Sequence, residues 1–166
     1  MGKKVWVGVA AGVVGGLVAS AAMDQFQVLV KKVQKPQNAE PPSAEGEPAT
    51  VRAAEGLVEP VLHRKLTEDE KKVAGPAMHY AMGAVSGGIY GAVAAAFPVA
   101  AAGFGSLFGA VLWAIADEVV VPALGLSKSP TEYPPEVHAN ALASHVVYGI
   151  STDLVRRLIA GRLLSA

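Results

Sequence analysis

Cysteine is absent from the 166 residues, which excludes a disulfide, a thiolate nucleophile, an iron–sulfur cluster and a cysteine zinc site. An excess of charge of one sign is also missing. The 14 Lys and Arg are balanced by 14 Asp and Glu, so there is no basic field of the kind that holds nucleic acid. Catalytic signatures are lacking as well: no phosphate-binding glycine loop, no His-Glu-x-x-His, no nucleophile elbow. Ser144 beside His145 is not a nucleophile–base pair, because neighbours on a helix point about 100° apart. Nothing in the chain supports an enzyme.

The chain is rich in apolar residues, at 52% hydrophobic, and they are gathered into blocks separated by nearly all of the charge. The first block, Val5 to Val30, carries the single charge Asp24 and exceeds the roughly 20 residues a helix needs to cross a bilayer core. A signal peptide competes with a membrane span here. Lys3 and Lys4 form a basic start and Ala19-Ser20-Ala21 a small-residue cleavage site, but the apolar run continues through Phe26, Val28, Leu29 and Val30, beyond the length of about 7–15 residues usual for a signal core. An intact mass lacking residues 1–21 would decide for cleavage.

Residues 31–76 are polar and Pro-rich, with Pro36, Pro41, Pro42 and Pro48, and predict an exposed, partly disordered loop. Within it, Val51, Leu57, Val58, Val61 and Leu62 fall on one helical face. Residues 51–64 are therefore expected to form a short helix, lying on the membrane surface or capping the bundle. Thr67-Glu68-Asp69-Glu70 has the form of a capping box and predicts a helix start. That helix is expected to kink at Pro76 and to continue as a second span over 77–97, stopped by Pro98. A third span over about 103–121 ends at Pro122. Gly125 to Pro135 is a Pro-rich connector, and the fourth span, about 137–160, carries Asn140, His145 and Asp153. The fold class expected is all-α: one transmembrane domain of four helices in the lipid bilayer, with a polar loop between the first two.

Glycines recur every four residues: Gly8, Gly12 and Gly16; Gly83, Gly87 and Gly91; Gly105 and Gly109. Such runs let helix backbones approach closely in lipid, either within the bundle or against a second copy or another membrane protein.

Threading four spans sorts the polar residues by depth. Asp24, His79, Asp117, Glu118, His138, Asn140 and His145 all fall toward the end that bears the 31–76 loop, and Asp153 toward the other. Ionisable groups at membrane depth cost about 2.5–3.5 kcal/mol each on insertion scales, so they pair, face the interior or line water. Asp24, His79, Asp117, Glu118 and His145 thus form a predicted polar layer. Three uses of it compete: a structural network, proton or ion handling, and a metal or haem site, with His79, His145, Glu118 and Asp24 as the candidate metal ligands. No spacing requires a cofactor. Asp153 is placed to pair with Arg156 and Arg157 at i,i+3 and i,i+4, as an anchor at the membrane interface.

Residues 75–160 resemble the YagU-like family of bacterial inner-membrane proteins, domain of unknown function 1440. The likeness rests on His79 with Tyr90 and Pro98, on Pro122-Ala-Leu-Gly-Leu126 with its Pro-rich sequel, and on His145 with Asp153 and Arg156-Arg157. The resemblance implies a multi-pass protein of the inner membrane with a link to acid tolerance. It also implies that the acidic position ending the third span is one where histidine substitutes, as suits proton or metal contact. The Lys and Arg of 31–76, with Lys128, outnumber Lys3, Lys4, Arg156, Arg157 and Arg162, which places the loop side in the cytoplasm. The functions expected are a non-enzymatic stress or envelope protein that senses or relays protons, a metal- or haem-binding redox or transport component, or a structural partner subunit.

Overall fold

The computed structural model describes residues 2–33 and 46–165. The expected disorder of the loop falls largely on residues 34–45, outside the described residues. Among the described residues the fold is all-helical. Helices α1 (Gly2–Val33), α2 (Ala49–Leu62) and α3 (Glu68–Ala96) lead to a 3₁₀ segment, Pro98–Gly105. Then come α4 (Ser106–Ile115), a π-helical turn (Ala116–Val120), the short α5 (Val121–Ala123), a 3₁₀ turn at Pro130–Glu132, and α6 (Pro135–Ser165). Two segments are long and apolar enough to cross a membrane, α1 and Pro98–Ala123. Gly, Ala and Ser dilute the hydropathy of α3, and Asn140, His145, Asp153, Arg156 and Arg157 that of α6.

Helix α1 is central, flanked by α3 on one side and α6 on the other, while α4 lies along α6 and α2 lies on α3. Glycine sets this arrangement. A Cβ on Gly8, Gly12 or Gly16 would collide with the carbonyl oxygen of Gly91, Gly87 or Gly83 respectively, so α1 and α3 run antiparallel with backbones in direct contact. On its other side, a Cβ on Gly15 would come within 2.7 Å of the Thr152 carbonyl oxygen in α6. Gly105 meets Gly149, and Gly109 meets the His145 carbonyl, across the α4–α6 contact. All three glycine runs are therefore engaged inside the chain. Helix α1 runs unbroken through Ala19-Ser20-Ala21, with Ala19 and Ser20 fully buried, so a cut there would strip the bundle of most of its central helix.

The helix expected over 51–64 forms as α2, and Val51 and Ala54 pack it onto α3 near Gly75. Helix α3 runs on through Pro76, as expected. One boundary differs from expectation. The third span's helix starts at Ser106 and not Gly103, since Gly103, Phe104 and Gly105 all take left-handed φ (71°, 53° and 81°) in the turn that reverses the chain. Phe104 does so against the steric preference of a residue with a Cβ.

The capping box forms as its residues predict. Glu70 N–H donates to Thr67 Oγ1 at 3.3 Å, and Thr67 N–H to Glu70 Oε2 at 2.8 Å. Arg64 grips the same carboxylate through two bonds of 2.8 Å, a charge-assisted fork. The Arg64 hydrogen bond, with the Thr67 bonds after it, holds the Glu70 carboxyl far below the ordinary carboxylate range.

Because the folded-state pKa of Glu70 is depressed, its contribution to stability is present above the unfolded value of about 4.3 and is lost as pH falls below it. Acid titration of thermal stability should show this component, and Glu70→Gln should remove it; an unchanged acid limb would refute the assignment. Gly87→Leu, which must force α1 and α3 apart, should destabilise by more than the 1–3 kcal/mol typical of overpacking. Gly56→Ala, in open space on α2, should instead stabilise by about 0.5–1 kcal/mol. Parallel thermal melts of the two variants measure the contrast.

Candidate functional site

The bundle buries several polar side chains among its small and aromatic core residues. The largest fully buried side chains are Thr152, Asp153, Ser20 and Ser144. Trp6, Leu29, Val85, Ile89, Leu107, Ile115, Leu154 and Leu158, distributed over α1, α3, α4 and α6, are all exposed.

Three aromatic residues join the helices at mid-bundle. Tyr90 of α3 stacks on Phe108 of α4 at 4.3 Å, and Phe108 in turn meets Tyr148 of α6 at 6.1 Å. The Tyr148 hydroxyl donates to the Gly83 carbonyl across to α3 at 2.6 Å. Tyr148 was not singled out in the sequence, since a hydroxyl aimed at a backbone oxygen on another helix has no local signature.

To one side of this seam α3 and α4 diverge, and the gap is a cleft of 870 Å³ lined by α1, α3, α4, α6 and the loops at that end. Asp24, His79, Asp117, Glu118, His138 and His145 all line it, so the predicted polar layer is assembled in one place. Within the layer each histidine has a carboxylate partner. His79 Nε2 is 3.3 Å from Asp24 Oδ1, whose other oxygen accepts from the Tyr80 hydroxyl at 2.9 Å. His145 Nδ1 faces the Ala141 carbonyl at 3.0 Å and lies 3.6 Å from Asp117. His138 Nδ1 meets Glu118 Oε1 at 2.6 Å, and its Nε2 meets the Pro130 carbonyl at 3.0 Å.

The His138 geometry carries chemical information. Both ring nitrogens face oxygens that accept, and a neutral imidazole has only one N–H to donate. A doubly protonated His138 ring would have an acceptor for each of its N–H groups, Glu118 on one side and the Pro130 carbonyl on the other. Asp117 and Glu118 are adjacent in sequence yet reach histidines seven positions apart on α6. They lie in the π-helical turn, a local widening frequent at functional sites and without a sequence signal here. Asn140 contributes only its carbonyl, to Ser144 Oγ at 2.9 Å; Ser144 is thus a buried structural hydroxyl. The metal candidates His79, His145, Glu118 and Asp24 are divided among separate pairs, and among the described residues no three His, Asp or Glu are grouped to hold a metal ion.

At the other end Asp153 is fully buried. Its Oδ1 accepts from Arg156 Nε at 3.0 Å and Nη2 at 2.6 Å, and Oδ2 accepts from Arg157 Nε. The pairing matches the expected i,i+3 and i,i+4 spacing. Arg156, however, turns inward over the Tyr90 ring at 5.6 Å and is nearly buried, so it ties α6 to α3 instead of reaching outward. Arg157 covers Phe104 at 5.2 Å and donates to the Ala101 carbonyl at 2.9 Å, fastening the α3–α4 turn.

An all-helical bundle with polar contents, an apolar exterior and two helices able to span a bilayer defines the class. The chain belongs to the family described as protein of unknown function (DUF1440), whose model matches residues 36–154. That match includes every histidine and carboxylate of the cleft except Asp24. No curated protein and no solved structure matches the chain.

Removing one member of a buried ion pair strands the other charge, at about 3–5 kcal/mol. Asp153→Ala should lose stability on that scale, and an Asp153→Leu/Arg156→Met double variant should recover part of it. Chemical denaturation measured as a double-mutant cycle would test this, and additive losses would contradict the coupling.

Proposed function

We propose that this is a multi-pass protein of the bacterial inner membrane, with α1, α3, the Pro98–Ala123 segment and α6 as four spans. In this reading its His–carboxylate cleft senses or relays protons in acid or envelope stress and catalyses no reaction. The exposed apolar side chains on all four helices support the membrane placement. Scattered singly they would need no explanation, but together they far exceed what a soluble monomer leaves open to water. The proton role is supported by the His138–Glu118 pair, in which both imidazole nitrogens face oxygens able to accept. Two further His–carboxylate pairs lie round the same cleft, so groups able to take up a proton come from α1, α3, the π-helical turn and α6. Histidine is the side chain whose ordinary pKa of about 6.5 lets it change charge in mildly acidic conditions. The Lys and Arg asymmetry supports a cytoplasmic loop side.

Cells carrying Glu118→Gln together with His145→Gln should survive acid challenge at least tenfold less well than cells with the parent protein, with equal amounts in the membrane fraction. Unchanged survival at equal membrane abundance would refute the proton role.

A further inference from the structure

The cleft has a size and a charge as well as titratable pairs. Its volume of 870 Å³ belongs with small-molecule sites of roughly 300–1,000 Å³ and is far larger than a proton path or a bare ion requires. Asp24, Asp117 and Glu118 supply three carboxylates to its walls, and no lysine or arginine among the described residues lines it. Glu47 at the rim is already engaged by Lys71, which stands outside the cleft. The three carboxylates have only histidines as counter-charges, so while the carboxylates are ionised the cleft's own charge runs from negative to neutral. An anion is disfavoured in that range of pH.

Between the acidic groups the walls are soft and apolar: Met23, Met82, Leu112 and the ring of Tyr148. Methionine and tyrosine are suited to an organic cation, the first by polarisability and the second by its ring face. At the floor, Ser20 is completely buried and lines the cleft, yet its hydroxyl has no hydrogen-bond partner among the protein atoms. A buried hydroxyl left without a partner costs about 1–3 kcal/mol, a cost that a guest's polar group reaching Ser20 would relieve.

We propose that the cleft between α3 and α4 binds an organic cation with an apolar body, its charge set among Asp24, Asp117 and Glu118 and its body against Met23, Met82 and Tyr148. The proposal rests on the reading of the cleft as lying at membrane depth, where a lipophilic cation would reach it laterally between the two helices. An unpaired cation at that depth is expensive, and the carboxylates offset this cost only for guests of positive charge.

The test uses the full chain in lipid nanodiscs, with empty nanodiscs subtracted, and tetraphenylphosphonium as the probe, with tetraphenylborate as the size-matched anion. Saturable binding of the phosphonium near one per protein is expected, with none for the borate. Asp117→Asn should weaken it at least tenfold. Ser86→Phe, which fills the cleft wall and leaves the acidic groups in place, should do the same. The proposal is overturned if monodisperse protein shows no saturable phosphonium binding, if the borate binds equally well, or if neither substitution changes the affinity. Failure here with acid survival still dependent on Glu118 and His145 would leave the proton role standing. Saturable, Asp117-dependent binding without any effect on acid survival would support the cation site and remove the proton role.

Discussion

Backbone contact between α1 and α3 is the constraint on which the rest of the bundle depends. With hydrogens in place of side chains at Gly8, Gly12, Gly16, Gly83, Gly87 and Gly91, the two helices lie against each other's carbonyl oxygens. Lipid is as apolar as any leucine side chain, so helices in it are held by close packing and polar contacts. The closeness of this pair fixes where everything else falls. It brings Gly83 within reach of Tyr148, sets Asp24 beside His79, and leaves α4 unable to close fully on α3. The cleft is the space left over by two tight glycine contacts, α1 with α3 and α4 with α6, joined along α1 and α6.

Such a scaffold has room at its centre only for small residues and a few polar ones, Ser20, Ser144, Thr152 and Asp153 among them, while many bulky aliphatics are on its outer surface. Ser144 and Thr152 return their hydroxyls to the carbonyls one turn back on α6, which satisfies them without a partner helix. Asp153 is different, because it requires both arginines and is built into the packing. The two ends of the bundle therefore handle charge in opposite ways. One end buries a carboxylate in a closed arginine fork; the other leaves three carboxylates facing a space, with histidines and the Tyr80 hydroxyl beside them.

Much of this was legible in the residues. Thr67 and Glu70 marked a helix start through local bonding alone, Pro98 marked a helix end, and glycines at four-residue spacing marked the packed faces. The depth of Asp24, His79, Asp117, Glu118 and His145 followed from the antiparallel order of apolar blocks, which is why the layer could be drawn before any contact was known. What could not be drawn were features set by two distant segments at once. The π-helical turn at Ala116–Val120, the inward turn of Arg156 over Tyr90, and Gly149 as the partner of Gly105 each depend on the register between helices.

The central place of α1 has a consequence for how the chain assembles. Helices α3 and α4, neighbours in sequence, meet chiefly through the Tyr90–Phe108 stack, whereas α1 is sandwiched between α3 and α6. A hairpin of α3 and α4 is thus little more than a pair of adjacent rods until the last helix arrives. During synthesis α1 must wait with its Gly15 side open until Thr152 of α6 has been made. Long-range closure of this kind is slow and leaves intermediates exposed. The α1–α6 contact closes last, so a chain halted before that helix would leave the Gly15 side of α1 an unfilled groove.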